Sequence, residues 1–122
     1  MNYKTLQLQI DAFIGKFGSA ALITYWDVLN GAVCDVYGVS KIQLRDLTVR
    51  KPEVVDARRQ FVYLTTVTRD LPTTFIERWF GCSQRSVYKY QKESKQRIKD
   101  KKFYPKFNQE HNSIKEKLKP HE

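Results

Sequence analysis

Glycine, proline, cysteine and histidine are scarce in this 122-residue chain, which contains five, four, two and two of them. The few glycines never form a Gly-x-x-x-x-Gly-Lys sequence, which excludes a phosphate-binding loop of the common nucleotide-binding kind. Cys34 and Cys82 make neither a disulfide framework nor a four-ligand zinc set, so we expect two reduced structural thiols. His111 and His121 lie in a polar C-terminal segment and lack metal-binding spacing.

Long apolar runs and catalytic constellations are also missing. No stretch approaches the roughly 20 apolar residues that span a bilayer, and residues 1–13 lack a basic-then-apolar signal pattern. We therefore expect a cytoplasmic location and no membrane partner. Carboxylates are scattered, and no serine sits in the sequence context of a nucleophile elbow. The sequence thus predicts that the protein is not an enzyme and that it needs no cofactor and no metal.

The apolar content is sufficient for one folded domain. Apolar residues make up 41% of the chain and aromatic residues 13%, and Trp26 and Trp79 are the largest candidates for the core. Apolar positions recur at steps of three and four, with no sustained alternation, which predicts an all-α fold. We expect a single compact multi-helix domain over residues 1–101. Residues 102–122 are expected to form a basic tail, either a loosely docked helix over about residues 110–117 or a disordered segment, because residues 106–122 have only Phe107, Ile114 and Leu118 as apolar anchors.

Helix boundaries follow from capping residues, prolines and glycines. An imperfect apolar stripe covers residues 6–17, and a stronger one covers 19–37 and ends at Gly38. Ser40 is a predicted N-cap for a short helix over residues 41–47. Pro52 suits the first turn of a helix that continues to about residue 69, and Pro72 precedes the next. The last predicted helix of the domain runs past Tyr90 toward residue 101.

Positive charge is concentrated in the second part of the chain. The net charge is +9, but residues 1–40 contain two lysines and three aspartates, whereas eight basic residues between Cys82 and Lys102 face only Glu93 and Asp100. A surface of this kind binds polyanions with salt-dependent affinity. A solvated basic helix face is the alternative interpretation.

The segment from Thr73 to Tyr90 has the pattern of a helix-turn-helix, which we place at residues 73–92. Gly81 stands where the turn needs a positive φ, and Ser83 can cap the second helix. Ile76, Phe80 and Val87 are spaced so that the two helices can meet across the turn. Such a second helix commonly enters the major groove of DNA.

Double-stranded DNA is therefore the expected partner, which suggests association with the nucleoid. On the second helix, Arg85 is the best candidate to bind guanine and Gln84 could read adenine. Ser86 is a further candidate reader, and Ser83 is a cap whose neighbouring amides can approach a phosphate. Lysines are expected to neutralise phosphates rather than to specify sequence; they are Lys89, Lys92 and Lys95.

About half of the chain, residues 33–95, resembles the C-terminal DNA-binding domain of the bacterial replication initiator DnaA, a Trp-repressor-like helical domain. The shared features, in order along the chain, are a Val-x-x-x-Tyr-x-Val pattern, a basic loop, an Arg-Gln pair opening an apolar stretch, and an Ile-x-x-x-Phe-Gly turn. These features are carried here by Val33, Tyr37, Val39, Arg50, Lys51, Val55, Arg59, Gln60, Phe61, Ile76, Phe80 and Gly81.

The resemblance implies two DNA-binding surfaces. It places the N-terminal part of the second helix in the major groove and the loop residues Arg50 and Lys51 beside the minor groove. Arg58 and Arg59 correspond to basic residues at the start of the following helix. The family's Gly-Gly-Arg-Asp-His-Thr-Thr-Val motif is replaced by the shorter Gly-Cys-Ser-Gln-Arg-Ser-Val at residues 81–87, which implies a different DNA site. These features are consistent with a small protein encoded by a plasmid, a phage or another mobile element.

Two other functions fit the sequence. The near-neutral first 40 residues could form an oligomerisation surface in a small DNA-packaging subunit that holds DNA weakly. Alternatively, the basic face could bind an acidic protein or RNA, because a helix-turn-helix fold does not fix function.

Overall fold

The structure is a computed structural model that describes residues 20–68 and 73–121, with side chains from residue 25 onward except at 68, 75 and 121. The helices are α1 (Ala20–Tyr37), α2 (Lys41–Arg45), α3 (Pro52–Tyr63), α4 (Thr73–Phe80), α5 (Gln84–Lys99) and α6 (Pro105–Leu118). A π-helical turn, Leu64–Thr68, extends α3, and a 3₁₀ turn, Lys119–His121, follows α6. No strand occurs within these ranges, so the predicted all-α fold is confirmed. The predicted stripe over residues 6–17 lies outside the described residues.

Several predicted helix ends are confirmed by their capping geometry. Gly38 ends α1 with a φ of 63°, and Pro52 occupies the first turn of α3. Ser40 forms a capping box with Gln43 at the start of α2, with both hydrogen bonds 3.0 Å long. However, α2 ends at Arg45, two residues earlier than predicted. Asp46 adopts an extended conformation there, and its carboxylate accepts hydrogen bonds from the amide and hydroxyl of Thr48.

Four aromatic rings form the centre of the core. Phe61 of α3 lies 5.1 Å from Trp26 of α1 and 5.0 Å from Trp79 of α4, measured between ring centroids. Phe80 packs edge-on against both Phe61 and Trp79. Such ring pairs stabilise a fold by about 0.5–1.5 kcal/mol each beyond the burial of their area. The cluster therefore fixes α4, and with it the start of α5, relative to α1 and α3.

The C-terminal segment differs from its predicted form. Residues 105–118 are not a loose or disordered tail but form α6, which packs against α1 and α5. Phe107, Ile114 and Leu118 are buried on one face of it. The predicted separation of residues 102–122 from the domain is therefore wrong for α6, which belongs to the core.

Two polar side chains complete the buried face of α6. Asn108 donates hydrogen bonds to the carbonyl oxygens of Arg97 (2.9 Å) and Tyr104 (2.8 Å). Nδ1 of His111 donates to Oε1 of the buried Gln60 at 2.8 Å, and Nε2 of Gln60 donates to the Tyr37 hydroxyl at 3.2 Å. Because these groups have partners, they can be buried without the cost of an unsatisfied polar group. The network joins α6 to α3 and α1.

Stability should depend on pH through His111. Burial lowers the pKa of His111 to about 4, and the charges of Lys115 and Lys101 act in the same direction. Between pH 6.5 and 4 the unfolded chain binds a proton that the folded chain excludes. We therefore expect His111 to lower the free energy of unfolding by about 3 kcal/mol as the pH falls through this range, with no further effect above pH 7.

Urea unfolding followed by tryptophan fluorescence at pH 7 and pH 4 measures this effect. Carboxyl groups also titrate in this range, and the pKa of Glu110 is raised by burial. The comparison is therefore with His111→Asn, which keeps a side-chain N–H donor but does not titrate. The same loss of stability in both proteins would contradict the assignment to His111.

Candidate nucleic-acid interface

A three-residue turn joins α4 to α5. Gly81 has a φ of 67°, the left-handed conformation expected from the sequence. Ser83 is the N-cap of α5, and its hydroxyl accepts a hydrogen bond from the amide of Ser86 at 3.2 Å. Apolar side chains on either side of the turn are all buried in the core, as predicted; they are Ile76, Phe80 and Val87. The turn therefore holds α4 and α5 in a fixed relation.

One face of α5 is bound to α3 and to the π-helical turn. Val87 and Ser94 are buried, and the hydroxyl of Ser94 donates to the carbonyl oxygen of Arg59 at 2.8 Å. Nε2 of Gln91 donates to the Thr66 hydroxyl at 2.6 Å. Tyr90 is partly buried on the same side. These contacts determine which face of α5 is left to solvent.

The opposite face of α5 is a stripe of exposed cations. At 100° per residue the members of this basic stripe fall within an arc of about 120° along a helix about 24 Å long. They are Arg85, Lys89, Lys92, Lys95 and Lys99, and all are exposed. Among the residues that the structure describes, no ion pair involves any of them. The stripe therefore presents its positive charge to solvent.

The N-terminal end of the basic stripe holds the other predicted readers. Gln84 is exposed, and its Nε2 donates a hydrogen bond to the Tyr88 hydroxyl at 3.1 Å. Ser83 is also exposed, whereas Ser86 is half-buried, and their hydroxyls lie 3.2 Å apart. Tyr88 was not among the predicted site residues. Tyr88 and Tyr90 lie on opposite sides of α5, and the structure shows that Tyr90 is the one that packs inward.

The loop between α2 and α3 faces the start of α5 across an open groove. Arg50 and Lys51 of this loop are exposed, as a DNA-contacting role requires. The groove has a volume of about 320 Å³ and is lined by Leu47, Arg50, Val55, Arg58, Arg59, Ser86, Lys89, Tyr90 and Glu93. The structure thus brings together Arg50, Ser86 and Lys89, which were predicted separately. Lys51 is not part of the groove lining.

Arg58 was predicted to bind DNA, and this prediction is wrong. Only 1% of the surface of Arg58 is exposed to solvent. Its guanidinium donates hydrogen bonds to backbone carbonyl oxygens at the end of α2 and in the following loop. Its acceptors are Leu44 (2.8 Å), Val49 (2.7 Å), Gln43 (3.0 Å) and Asp46. These carbonyls lack helical partners, and the guanidinium fork satisfies them together. Arg58 therefore holds the loop that carries Arg50.

Arg59, another predicted DNA contact, is half-buried and has carboxylate partners. Its guanidinium pairs with Asp56 at 2.6 Å and with Glu93 of α5 at 3.3 Å. Arg97 of α5 pairs with the same Asp56 at 3.0 Å. The side chain of Arg59 is only 15% exposed. Its charge is already balanced by carboxylates, so Arg59 joins α3 to α5 at the edge of the groove.

Other chemistry has little support in the described part of the chain. Residues 20–68 and 73–121 contain no group of three or more His, Cys, Asp or Glu side chains that could hold a metal. Cys34 and Cys82 are free thiols, and burial raises the pKa of both, that of Cys82 to about 11. Neither is therefore an activated thiolate. No helix in these ranges is both long and apolar enough to cross a membrane.

The structural role of Arg58 can be tested by substitution. Arg58→Met removes the guanidinium while keeping an unbranched side chain, so the carbonyl oxygens of Gln43, Leu44 and Val49 lose the donor that Arg58 supplies. We expect the free energy of unfolding to fall by about 3 kcal/mol. Arg50→Ala is the matched control, because Arg50 is exposed and its loss should change stability by about 0.5 kcal/mol or less. Similar urea midpoints for the two variants would contradict this role.

In comparisons with known proteins, no family model matches the sequence, and no curated protein or solved structure matches it either. The geometry of the interface is therefore the basis on which a function can be assigned.

Proposed function

We propose that the protein binds double-stranded DNA through α4, the turn and α5, which act as a helix-turn-helix with α5 in the major groove. The observation that carries the proposal is the basic stripe, which faces solvent over the length of α5 while the opposite face of the helix is buried. No carboxylate lies on the stripe itself, so its charges add along a single face. Recognition of this kind needs no catalytic group and no cofactor.

The groove is a second observation that supports the proposal. Arg50 approaches the start of α5 from the α2–α3 loop and lines the same groove as Ser86 and Lys89. A DNA backbone that follows α5 would therefore meet cations from two separate elements. The resemblance to the DNA-binding domain of the replication initiator implies the same two contacts, with a basic loop beside the minor groove and the second helix in the major groove. On this proposal, phosphate contacts supply most of the affinity, and α5 discriminates between sequences.

Duplex binding should weaken steeply with salt. Each phosphate neutralised by a lysine releases condensed counterions, so the logarithm of the affinity falls linearly with the logarithm of the salt concentration. We expect Lys92→Ala, which shortens the basic stripe, to make this slope shallower by about 1. Fluorescence anisotropy of a random-sequence duplex over a salt series measures the change. Lys117→Ala removes an exposed lysine from α6 and is the control.

The outcomes of this titration separate the competing functions. No binding to the duplex at low salt would overturn the proposal and point to an acidic protein partner. Tighter binding to an RNA of equal length would identify RNA as the partner. An equal change of slope in Lys92→Ala and Lys117→Ala would show that the basic stripe has no special part in binding.

Arg85 should contribute to specificity rather than to general affinity. Its guanidinium can donate two parallel hydrogen bonds to guanine, which an ammonium group cannot reproduce. We expect Arg85→Lys to lose about 1–3 kcal/mol of affinity for a duplex selected by the wild-type protein. Its affinity for random DNA should remain almost unchanged, because the charge is kept. Competition between selected and random duplexes measures both affinities. An equal loss of affinity for the two duplexes would show that Arg85 contacts only the DNA backbone.

A further inference from the structure

The exposed pair Gln84 and Tyr88 lies at the N-terminal end of the basic stripe, one helical turn apart. The Tyr88 residue is 51% exposed, whereas Trp79 and Phe80 of α4 are buried and Tyr90 of α5 is half-buried. Its hydroxyl accepts a hydrogen bond from Nε2 of Gln84 at 3.1 Å. Arg85 and Lys89 lie beside the pair on the same face. The hydrogen bond therefore joins two side chains that face the proposed DNA.

The hydrogen bond to Tyr88 determines which donor and acceptor groups of Gln84 remain free to bind a base. A glutamine amide has two N–H donors and one carbonyl oxygen. One donor is used by Tyr88, so one donor and the carbonyl oxygen remain. In the major groove, adenine offers N7 as an acceptor and its N6 amino group as a donor, and this combination matches what Gln84 retains. Guanine offers two acceptors there and matches it less well.

Tyr88 also restricts the motion of Gln84 before DNA arrives. Fixing a free glutamine side chain costs roughly 1.5–2 kcal/mol of conformational entropy. A tyrosine has only two side-chain torsions, so its hydroxyl is a comparatively rigid partner. Holding Gln84 in the free protein would remove part of that entropy cost from the binding step.

We propose that Tyr88 is a positioning residue that orders Gln84 to read an adenine in the DNA site. The inference rests on the proposed function, because it assumes that α5 enters the major groove. It adds a base preference, which is an A·T pair at the position that Gln84 faces. It also assigns to Tyr88 the role of setting this preference without contacting the base.

The ordering of Gln84 can be measured in the free protein. Nuclear magnetic resonance relaxation of the side-chain amides gives an order parameter for each glutamine. Gln96 is an internal reference, because it is also exposed on α5. We expect the Gln84 amide to be more ordered than that of Gln96 and to fall to the same level in Tyr88→Phe. Equal order in the wild-type protein would overturn the proposal without reference to DNA.

A double-mutant cycle tests the effect on recognition. The probes are a duplex selected by the wild-type protein from a randomised library and a random-sequence duplex of the same length. We expect selected sites to share an A·T pair whose preference is lost in Gln84→Ala. Tyr88→Phe should weaken binding to the selected duplex about three- to tenfold, leave random binding unchanged, and have no effect once Gln84 is alanine.

Each other result of the cycle is decisive. A loss in Tyr88→Phe that persists in the Gln84→Ala background would show that Tyr88 contacts DNA itself. No loss on the selected duplex, or selected sites with no adenine that depends on Gln84, would also overturn the inference. Normal binding of both duplexes by the wild-type protein keeps the proposed function intact in these cases. If the wild-type protein fails to bind any duplex, the proposed function fails, and the reading of adenine fails with it.

Discussion

The guanidinium of Arg58 is the interaction on which the interface depends most directly. The short helix α2 ends after Arg45, and the carbonyl oxygens at its end and in the following loop have no helical partner. Arg58 supplies donors to four of these oxygens from inside the core. A buried charge is costly unless it is hydrogen-bonded in this way. The loop must therefore close around α3, which places Arg50 at the groove beside α5.

Successive residues of α3 bind different parts of the fold. Arg58 holds the α2–α3 loop, Arg59 binds Glu93 of α5, Gln60 binds His111 of α6, and Phe61 enters the aromatic cluster with α1 and α4. A helix turns by 100° per residue, so four consecutive side chains point in four directions. This is possible only for a helix surrounded on most sides. The central position of α3 thus fixes both sides of the groove at once.

Local signals in the sequence were sufficient for the fold class and for most helix ends. The apolar period of α1, the Ser40 cap, Pro52 and Gly81 each specify local geometry. Burial of charged and polar residues could not be predicted in the same way, because it depends on partners distant in sequence. Arg58 and Arg59 appear in the sequence as two more cations of a basic segment. The inner face of α6 was missed for the same reason, since His111 reads as polar until Gln60 is known to face it.

The distribution of ion pairs separates structural cations from those available to a partner. On α5, Arg97 is balanced by Asp56 of α3, whereas the cations of the basic stripe have no carboxylate partner among the described residues. Asp56 of α3 and Glu93 of α5 pair with Arg59 rather than with cations of the stripe. The positive potential is therefore concentrated on one side of the helix. A net charge of +9 alone would predict only general attraction to polyanions. With the charge on one side of α5, a polyanion is attracted to that side of the helix, which orients the protein relative to it. In the proposed complex, that orientation would bring Gln84, Arg85 and Tyr88 to the DNA surface together, as sequence reading requires.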